Sequence, residues 1–183
     1  MMMFQLTIAL GPEAWDEEKE EFVEPKKMTL KLEHSLVSLS KWESKWCKPF
    51  LSTKELTNEE AIDYIRCMTI TPNVNPEVYN NLTKANINDI LEYIYAPMTA
   101  TTVREEKSTK VNRETITSEL IYHWMIELQI PFECQKWHLN RLIMLIKVRN
   151  VKLNPPKKRS KREIMNQNAA LNAARRQRLH TKG

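Results

Sequence analysis

Glycine is nearly absent from this chain of 183 residues, which contains only Gly11 and Gly183. Phosphate-binding loops, dinucleotide-binding turns and the sharp turn that presents a hydrolase serine all need glycine, because other residues adopt those backbone conformations only at a cost. The sequence contains none of these motifs. Their absence excludes most nucleotide-dependent enzymes and the common serine hydrolases.

Cysteine is also scarce, and Cys47, Cys67 and Cys134 are odd in number and form no Cys-x-x-Cys pair. This usage is typical of a reducing compartment and of free, mostly buried thiols. Long apolar runs are missing too, since a run such as 142–146 is far too short to span a bilayer. The apolar residues 1–10 follow no basic residues and precede an acidic stretch, so we expect no signal peptide.

Positive charge is concentrated at one end of the chain. The net charge is +5, and residues 154–183 hold nine Lys or Arg and one Glu, a net +8 that leaves −3 for residues 1–153. The basic character therefore belongs to the C-terminal segment and not to the rest of the protein.

Two N-terminal segments alternate apolar and polar residues, which is the pattern of a half-buried β-strand. They extend from Phe4 to Leu10 and from Met28 to Leu32. Residues 13–24 between them include seven acidic residues and are predicted to form a long loop. Because an isolated hairpin is marginal in water, residues 1–34 should pack on helices or on the sheet edge of a partner.

From residue 35 onward the apolar period becomes helical, which predicts a helical core domain over residues 35–153. Ser35, Thr57 and Asn86 are the predicted N-caps of three helices, since their side-chain oxygens can accept from unpaired backbone N–H groups. Residues 98–112 are polar and are predicted to form a surface loop.

The clearest helical pattern begins near residue 116. The predicted apolar face of this helix consists of Ile116, Leu120, Trp124 and Leu128. After Pro131, a second helix is predicted to carry Trp137, Leu142, Leu145, Ile146 and Val148. Two helices joined by a short turn form an antiparallel hairpin, which we expect to be the core of the domain.

Asn154-Pro155-Pro156 is predicted to end the folded region. Residues 154–183 contain helix-forming alanines but few large apolar residues, so alone they cannot offset the entropy lost on ordering. We predict a flexible or marginally helical basic tail that orders on binding. The expected fold is mainly α with a small N-terminal β-hairpin (α+β class), a single compact helical domain followed by this tail.

Two groups of side chains could bind metal. Cys134 and His138 are four residues apart, but a zinc site needs three or four ligands and no second pair lies nearby in the sequence. Glu119, His123 and Glu127 follow one helix face, as in di-metal sites, yet the following helix offers few matching ligands. We therefore favour a core cysteine with a hydrogen-bonded histidine, and a solvated helix face. We expect no catalytic residues, no cofactor and no metal.

Trp42 and Trp46 lie one helical turn apart among three lysines at positions 41, 45 and 48. An aromatic and basic surface of this kind can bind a protein partner or single-stranded nucleic acid. The alternative is a core stripe with lysines extending at its edge. We favour the core stripe, because Leu36 and Leu39 continue the same face.

The C-terminal tail has two basic clusters, which are Lys157-Lys158-Arg159 with Lys161 and Arg162, and Arg175-Arg176 with Arg178. Such clusters bind phosphate backbones in a salt-dependent way. They can also act only as a solubilising tail, or dock on an acidic protein. The helical spacing of apolar residues at 164, 169 or 171, 174 and 179 favours a protein partner.

Three segments resemble tailed-bacteriophage tail assembly chaperones or proteins encoded beside them among tail genes. They are SLVSLSKWESKWCKPF at 35–50, WHLNRLIMLIKV at 137–148 and ALNAARRQRLHTKG at 170–183. The resemblance implies a non-enzymatic assembly factor in the host cell cytoplasm that coats the helical tape-measure protein and recruits tail-tube subunits. It also implies that a longer, frameshifted form can exist, and such chaperones are often helical, unlike the two N-terminal strands predicted here.

The expected partners are the tape-measure protein or other tail proteins, with self-association as a further expectation and no membrane. The alternatives are a structural virion protein, in the tail or in head completion, and a nucleic-acid-binding protein that acts through the basic tail. The predicted partner-binding residues are Trp42, Trp46, Trp124, Trp137, Lys157, Lys158, Arg159, Arg162, Arg175, Arg176 and Arg178.

Overall fold

The computed structural model describes residues 3–11, 14–16, 21–23, 25–103, 115–153 and 161–179. The strands are β1 Phe4–Ala9, β2 Ala14–Asp16, β3 Glu21–Val23 and β4 Lys27–Leu32. The α-helices are α1 Leu36–Trp46, α2 Asn58–Met68, α3 Lys84–Tyr95, α4 Ser118–Glu127, α5 Leu139–Leu153 and α6 Lys161–Leu179. Three short 3-10 helices are Phe50–Ser52, Pro76–Asn81 and Phe132–Lys136. The predicted mainly α fold with a small N-terminal β-hairpin is confirmed.

The chain divides into two units, Met1–Asn150 and Val151–Gly183. The first contains the sheet and the packed core, and the second contains α6. In the part of the chain that the structure describes, no helix is both long enough and apolar enough to cross a bilayer.

The N-terminal hairpin pairs β1 with β4 in antiparallel register, from Phe4 opposite Leu32 to Ala9 opposite Lys27. One face of this ladder is buried and the other is exposed, as the alternation in the sequence predicts. The buried side chains of the two strands are Leu6, Ile8, Leu30 and Leu32. The hairpin is therefore part of the core.

The predicted loop over residues 13–24 contains a second ladder, in which β2 pairs with β3 and Trp15 lies opposite Phe22. The prediction of a loop throughout this region was wrong. The reason is that strand-forming residues, Trp15, Phe22 and Val23, occur in this stretch but are outnumbered by acidic neighbours.

Side-chain caps begin the helices of the core. Ser35 and Thr57 form capping boxes at the N-termini of α1 and α2, which confirms both predictions. The predicted cap at Asn86 was wrong, because Thr83 is the N-cap of α3. Asn86 instead stands three residues into the box, and its side chain accepts a hydrogen bond from the Thr83 N–H at 3.1 Å.

The centre of the first unit is α1, which packs against α2, α4 and the 3-10 helix Phe132–Lys136. The core is therefore not centred on the predicted hairpin of α4 and α5, although both helices bury side chains in it. The predicted face of α4 was only partly right: Leu128 is buried, but Ile116 is exposed and the buried side chains within the helix are Ser118, Ile121 and Met125. Periodicity alone misplaced this face because apolar residues surround the helix on most sides.

Glu43 of α1 is buried, and its carboxylate accepts two backbone N–H groups from other parts of the chain. Oε1 accepts from Phe50 at 2.9 Å and Oε2 accepts from Ser118 at 2.7 Å. The Ser118 N–H is at the first turn of α4, where the helix has no internal acceptors for its N–H groups and favours negative charge. One carboxylate thus joins the turn after α1 to the beginning of α4.

Glu43→Ala should lower the free energy of unfolding by about 3 kcal/mol, because two N–H groups would lose their acceptor in a buried place. Glu43→Gln should cost less, since its amide oxygen can still accept one of them. Urea denaturation at neutral pH measures both changes. Glu55→Ala, at an exposed position, is the control and should change little; equal losses for Ala at 43 and 55 would contradict the assignment.

Four non-glycine residues in the described part of the chain have a positive φ, namely Cys47, Asn73, Met98 and Gln129. Gln129 has φ 53° and follows the end of α4, where the Ile130 N–H donates to the Met125 oxygen at 2.8 Å. This is the helix-ending position at which glycine is usual. Because the chain has few glycines, residues that carry a side chain occupy these left-handed backbone conformations.

Gln129→Gly should raise the free energy of unfolding by about 1 kcal/mol, because it removes the clash that a Cβ makes in the left-handed conformation. Asn73→Gly is the matched comparison, and it should give a smaller gain since asparagine tolerates this conformation. The melting temperatures of both variants measure these gains. A lower melting temperature for Gln129→Gly than for the unchanged chain would refute the assignment of backbone strain to Gln129.

Candidate functional site

The first predicted partner surface was that of Trp42 and Trp46. Trp42 has no exposed area, and its Nε1–H donates to the Glu60 main-chain oxygen at 2.9 Å. Its ring packs edge-on against Phe50, with the ring centroids 5.0 Å apart. Trp42 is therefore a core residue and not a partner contact, which corrects its inclusion among the predicted partner-binding residues.

Trp46, the last residue of α1, is half-buried, and its ring is hydrogen-bonded to α2. Its Nε1–H donates to Asp63 Oδ2 at 2.9 Å, while Lys45 Nζ bonds the other oxygen of Asp63 at 2.5 Å. Lys48 in turn bonds the Glu60 carboxylate. Two of the three lysines beside this aromatic pair, Lys45 and Lys48, are thus paired with carboxylates of α2.

The contacts with the lysines favour the charged forms of the Glu60 and Asp63 carboxyl groups. Hydrogen bonds from Lys48 and from the Thr57 N–H lower the pKa of Glu60. Burial alone would raise the pKa of Asp63, but its hydrogen bonds with Lys45 and Trp46 outweigh burial and lower it. Both groups are therefore charged at neutral pH and neutralise Lys45 and Lys48, so these two lysines offer little positive charge to a nucleic acid.

The two metal-binding candidates are not brought together with further ligands. Among the described residues, no group of three or more His, Cys, Asp or Glu side chains is placed to hold a metal ion. His123 and Glu127 are each 66% exposed at the side chain, and His123 Nε2 lies 4.0 Å from Glu127 Oε2. Cys134 is buried next to the core. Cys47 is exposed in a shallow groove whose lining contains no histidine.

A buried pair of histidines lies where the hairpin meets three helices. The rings of His34 and His138 are 5.0 Å apart at their centroids and meet edge to face. His34 Nδ1 hydrogen-bonds the Tyr64 hydroxyl at 2.6 Å, and its main-chain oxygen accepts from the Leu139 N–H at 2.8 Å. The Tyr93 hydroxyl accepts from the His34 N–H at 3.4 Å. No local sequence pattern indicates this cluster, because its members are far apart along the chain.

The hydrogen bonds of His138 require the neutral ring. Its Nε2 faces the Tyr93 carbonyl at 2.9 Å, so Nε2 carries the proton and donates. Its Nδ1 accepts from the Asn140 N–H at 3.3 Å, so Nδ1 has no proton. Burial lowers the pKa of His138, and burial together with the adjacent His138 ring, which opposes a second positive charge, lowers the pKa of His34 to about 3. His138 therefore has no free nitrogen that could act as a base.

The outer side of this cluster forms a groove of about 440 Å³. Its lining residues are Met3, Glu33, Tyr93, Met98, Trp137, His138 and Arg141. The Arg141 guanidinium lies 4.3 Å from the Trp137 ring centroid, and Trp137 is half-buried against the core. Methionine and tryptophan surfaces bind apolar side chains, and Arg141 can bind a carboxylate. Of the predicted tryptophans, Trp137 alone lines this groove, while Trp124 is half-buried at the edge of the core.

The second unit contains α6, which carries four of the predicted tail residues. Arg162, Arg175, Arg176 and Arg178 lie on this helix, and every side chain that the structure describes in it is exposed. Lys157, Lys158 and Arg159 lie outside the described residues. The helix has five Lys or Arg and one Glu over Lys161–Leu179, so its surface is strongly basic.

The chain matches no protein-family model, no curated protein and no solved structure. Its functional assignment therefore depends on the geometry described above and on the three resembling segments.

The histidine pair predicts a specific pH dependence of stability. The unfolded chain binds a proton at His34 below about pH 6.5, but the native chain does so only near its lowered pKa of about 3. Stability is thus fully present above pH 6.5 and decreases as the pH falls, by about 2 kcal/mol between pH 7 and pH 5 from His34 alone.

Urea denaturation of the unchanged chain and of His34→Asn at these two pH values tests this prediction. His34→Asn should be less stable at neutral pH but should lose less on acidification. His123→Asn, at an exposed position, should behave like the unchanged chain. An equal acid-induced loss in the unchanged chain and in His34→Asn would contradict the prediction.

Proposed function

We propose that this protein is a tail assembly chaperone of a tailed bacteriophage, which binds the tape-measure protein in the host cytoplasm and catalyses no reaction. The resemblance of three segments to such proteins is one support. The structural feature that supports it best is α6, a helix whose described side chains are all exposed.

A helix of this length and composition has little stability by itself. Its alanines favour helix, but short helices in water are marginal without packing, and α6 buries none of its described side chains. Exposed apolar residues at Met165, Leu171 and Leu179 remain to be covered. Such a helix is suited to a partner that supplies the missing packing, and its positive charge favours an acidic one.

The groove beside Trp137 is a second contact surface that suits an unfolded or helical client. It combines apolar side chains with one basic and one acidic group, Arg141 and Glu33. Apolar anchors provide affinity, and charges at the rim fix the orientation of a bound helix. The histidine next to it is committed to hydrogen bonds, which favours binding over catalysis at this place.

Co-expression with the tape-measure protein of the same phage tests the proposal. The unchanged chain should increase the soluble yield of the tape-measure protein and should co-purify with it. Reversing Arg175, Arg176 and Arg178 to Glu should weaken the complex by roughly one to two orders of magnitude in Kd, at about 0.5–1 kcal/mol for each charge.

The matched control reverses three exposed cations of the first unit, Lys26, Lys41 and Lys54. It makes the same change in net charge but leaves α6 intact, so it should keep the client soluble. Loss of the complex in both triple variants would show that net charge, and not α6, controls binding. Failure of the unchanged chain to bind the client, together with its presence in purified particles by mass spectrometry, would favour a structural virion protein.

A second candidate function is nucleic-acid binding, and the exposed arginines of α6 are the observation that favours it. Because backbone phosphates are bound with release of counterions, affinity would decrease steeply with salt. Fluorescence anisotropy with labelled DNA and RNA at two salt concentrations measures this. The chaperone proposal would be replaced by this one under two conditions. The chain would have to bind DNA or RNA in a salt-sensitive way that is lost in the α6 triple variant, and it would have to leave the solubility of the tape-measure protein unchanged.

A further inference from the structure

The hydrogen-bond register of the N-terminal hairpin shows which backbone groups of β1 remain unpaired. The Leu10 N–H donates to the Lys26 oxygen at 2.7 Å, one step beyond the pair of Ala9 and Lys27. Hydrogen-bonded positions alternate in an antiparallel ladder. The even-numbered residues of β1 therefore turn their N–H and C=O groups toward β4. The odd-numbered residues, Gln5, Thr7 and Ala9, turn theirs away from it.

The two outer edges of this hairpin differ. On β4, the Lys31 N–H donates to Thr71 Oγ1 at 2.8 Å and the Lys31 oxygen accepts from the Ile70 N–H at 2.9 Å. On β1, the one contact found in the described residues is a long one, 3.4 Å from the Asn86 side-chain amide to the Thr7 oxygen. The outward N–H groups of β1 have no acceptor in that part of the chain.

The β1 edge also lacks the features that usually keep a free edge from pairing. Edge strands are protected by lysine, by proline or by a bulge. Phe4–Ala9 contains no charged residue and no proline, and all six residues pair one to one with β4, without a bulge. Gln5, Thr7 and Ala9 are exposed. This edge can therefore accept another strand once the Asn86 amide of α3 releases the Thr7 oxygen.

We propose that β1 pairs in antiparallel orientation with β1 of a second copy of this chain. The strand is complementary to itself when Thr7 lies opposite Thr7, because Gln5 then lies opposite Ala9 and every outward backbone group meets a partner. About six hydrogen bonds result. A twofold axis requires this kind of self-complementary surface.

The side chains are compatible with the same register. No like charges oppose each other, and the central pair of threonines is a favourable cross-strand pair. On the core-facing side, Leu10 of one copy would lie opposite Phe4 of the other. Leu10 is 38% exposed in the single chain, so pairing would cover apolar surface as well. A second copy supplies neutral side chains at every position of the edge, which is why we commit to it over an unrelated strand.

Charge placed at the twofold axis tests this proposal, which does not depend on the proposed function. Thr7→Lys and Thr7→Glu each put like charges opposite each other, so each variant alone should be monomeric where the unchanged chain is dimeric. An equimolar mixture of the two variants should restore the dimer, because opposite charges then meet. Light scattering coupled to size-exclusion chromatography gives the masses, and circular dichroism checks that each variant is folded.

Thr29→Lys is the matched control. Thr29 lies beside Thr7 on the same exposed face, 3.3 Å away between hydroxyl oxygens, but on β4. This variant should remain dimeric. Thr7→Pro removes one outward N–H and no bond to β4, so it should also give a monomer.

Either of two results would overturn the proposal. One is an unchanged chain that is monomeric at every concentration up to the solubility limit. The other is a dimer that persists in both charged variants of Thr7, since such a dimer must use another surface.

Discussion

The carboxylate of Glu43 is the interaction on which the arrangement of the helices depends most. It belongs to α1, the helix around which the rest of the first unit packs. It accepts hydrogen bonds from the backbone N–H of Phe50, in the turn after α1, and from that of Ser118, at the beginning of α4. A charged group in a buried place needs strong hydrogen bonds to be tolerated. These bonds fix the beginning of α4 against α1, and the apolar faces of both helices then close around Trp42 and Ile121.

A second set of polar contacts joins the hairpin to the other side of the core. His34 follows β4, His138 precedes α5, and Tyr93 of α3 hydrogen-bonds both residues. The Asn140 side chain also donates to the Ile94 and Ala96 oxygens at the end of α3, at 2.9 Å each. These three elements are thus held by neutral side chains whose donors and acceptors match. The same contacts leave the groove of Trp137 and Arg141 on their outer side.

Local signals predicted much of this fold. The alternation of Phe4 to Leu10 and the capping residues Ser35 and Thr57 identify their elements because the relevant contacts lie within a few residues. The face of α4 and the pairing of Lys48 with Glu60 depend on which distant segments meet, and no local pattern contains that information. The same holds for the candidate site. The basic character of α6 was evident from composition, whereas the groove beside Trp137 and Arg141 was not, because its lining residues come from distant segments.

The exposure of α6 has a consequence for the lifetime of the protein in a cell. Arg175 and Arg176 are adjacent, accessible, and followed closely by Arg178, and a helix without packing opens often enough for a protease to bind its backbone. A partner bound to α6, as we propose, would suppress cleavage there by keeping the helix closed. The amount of intact chain would then follow the amount of its partner, and surplus copies would be trimmed without a dedicated regulator.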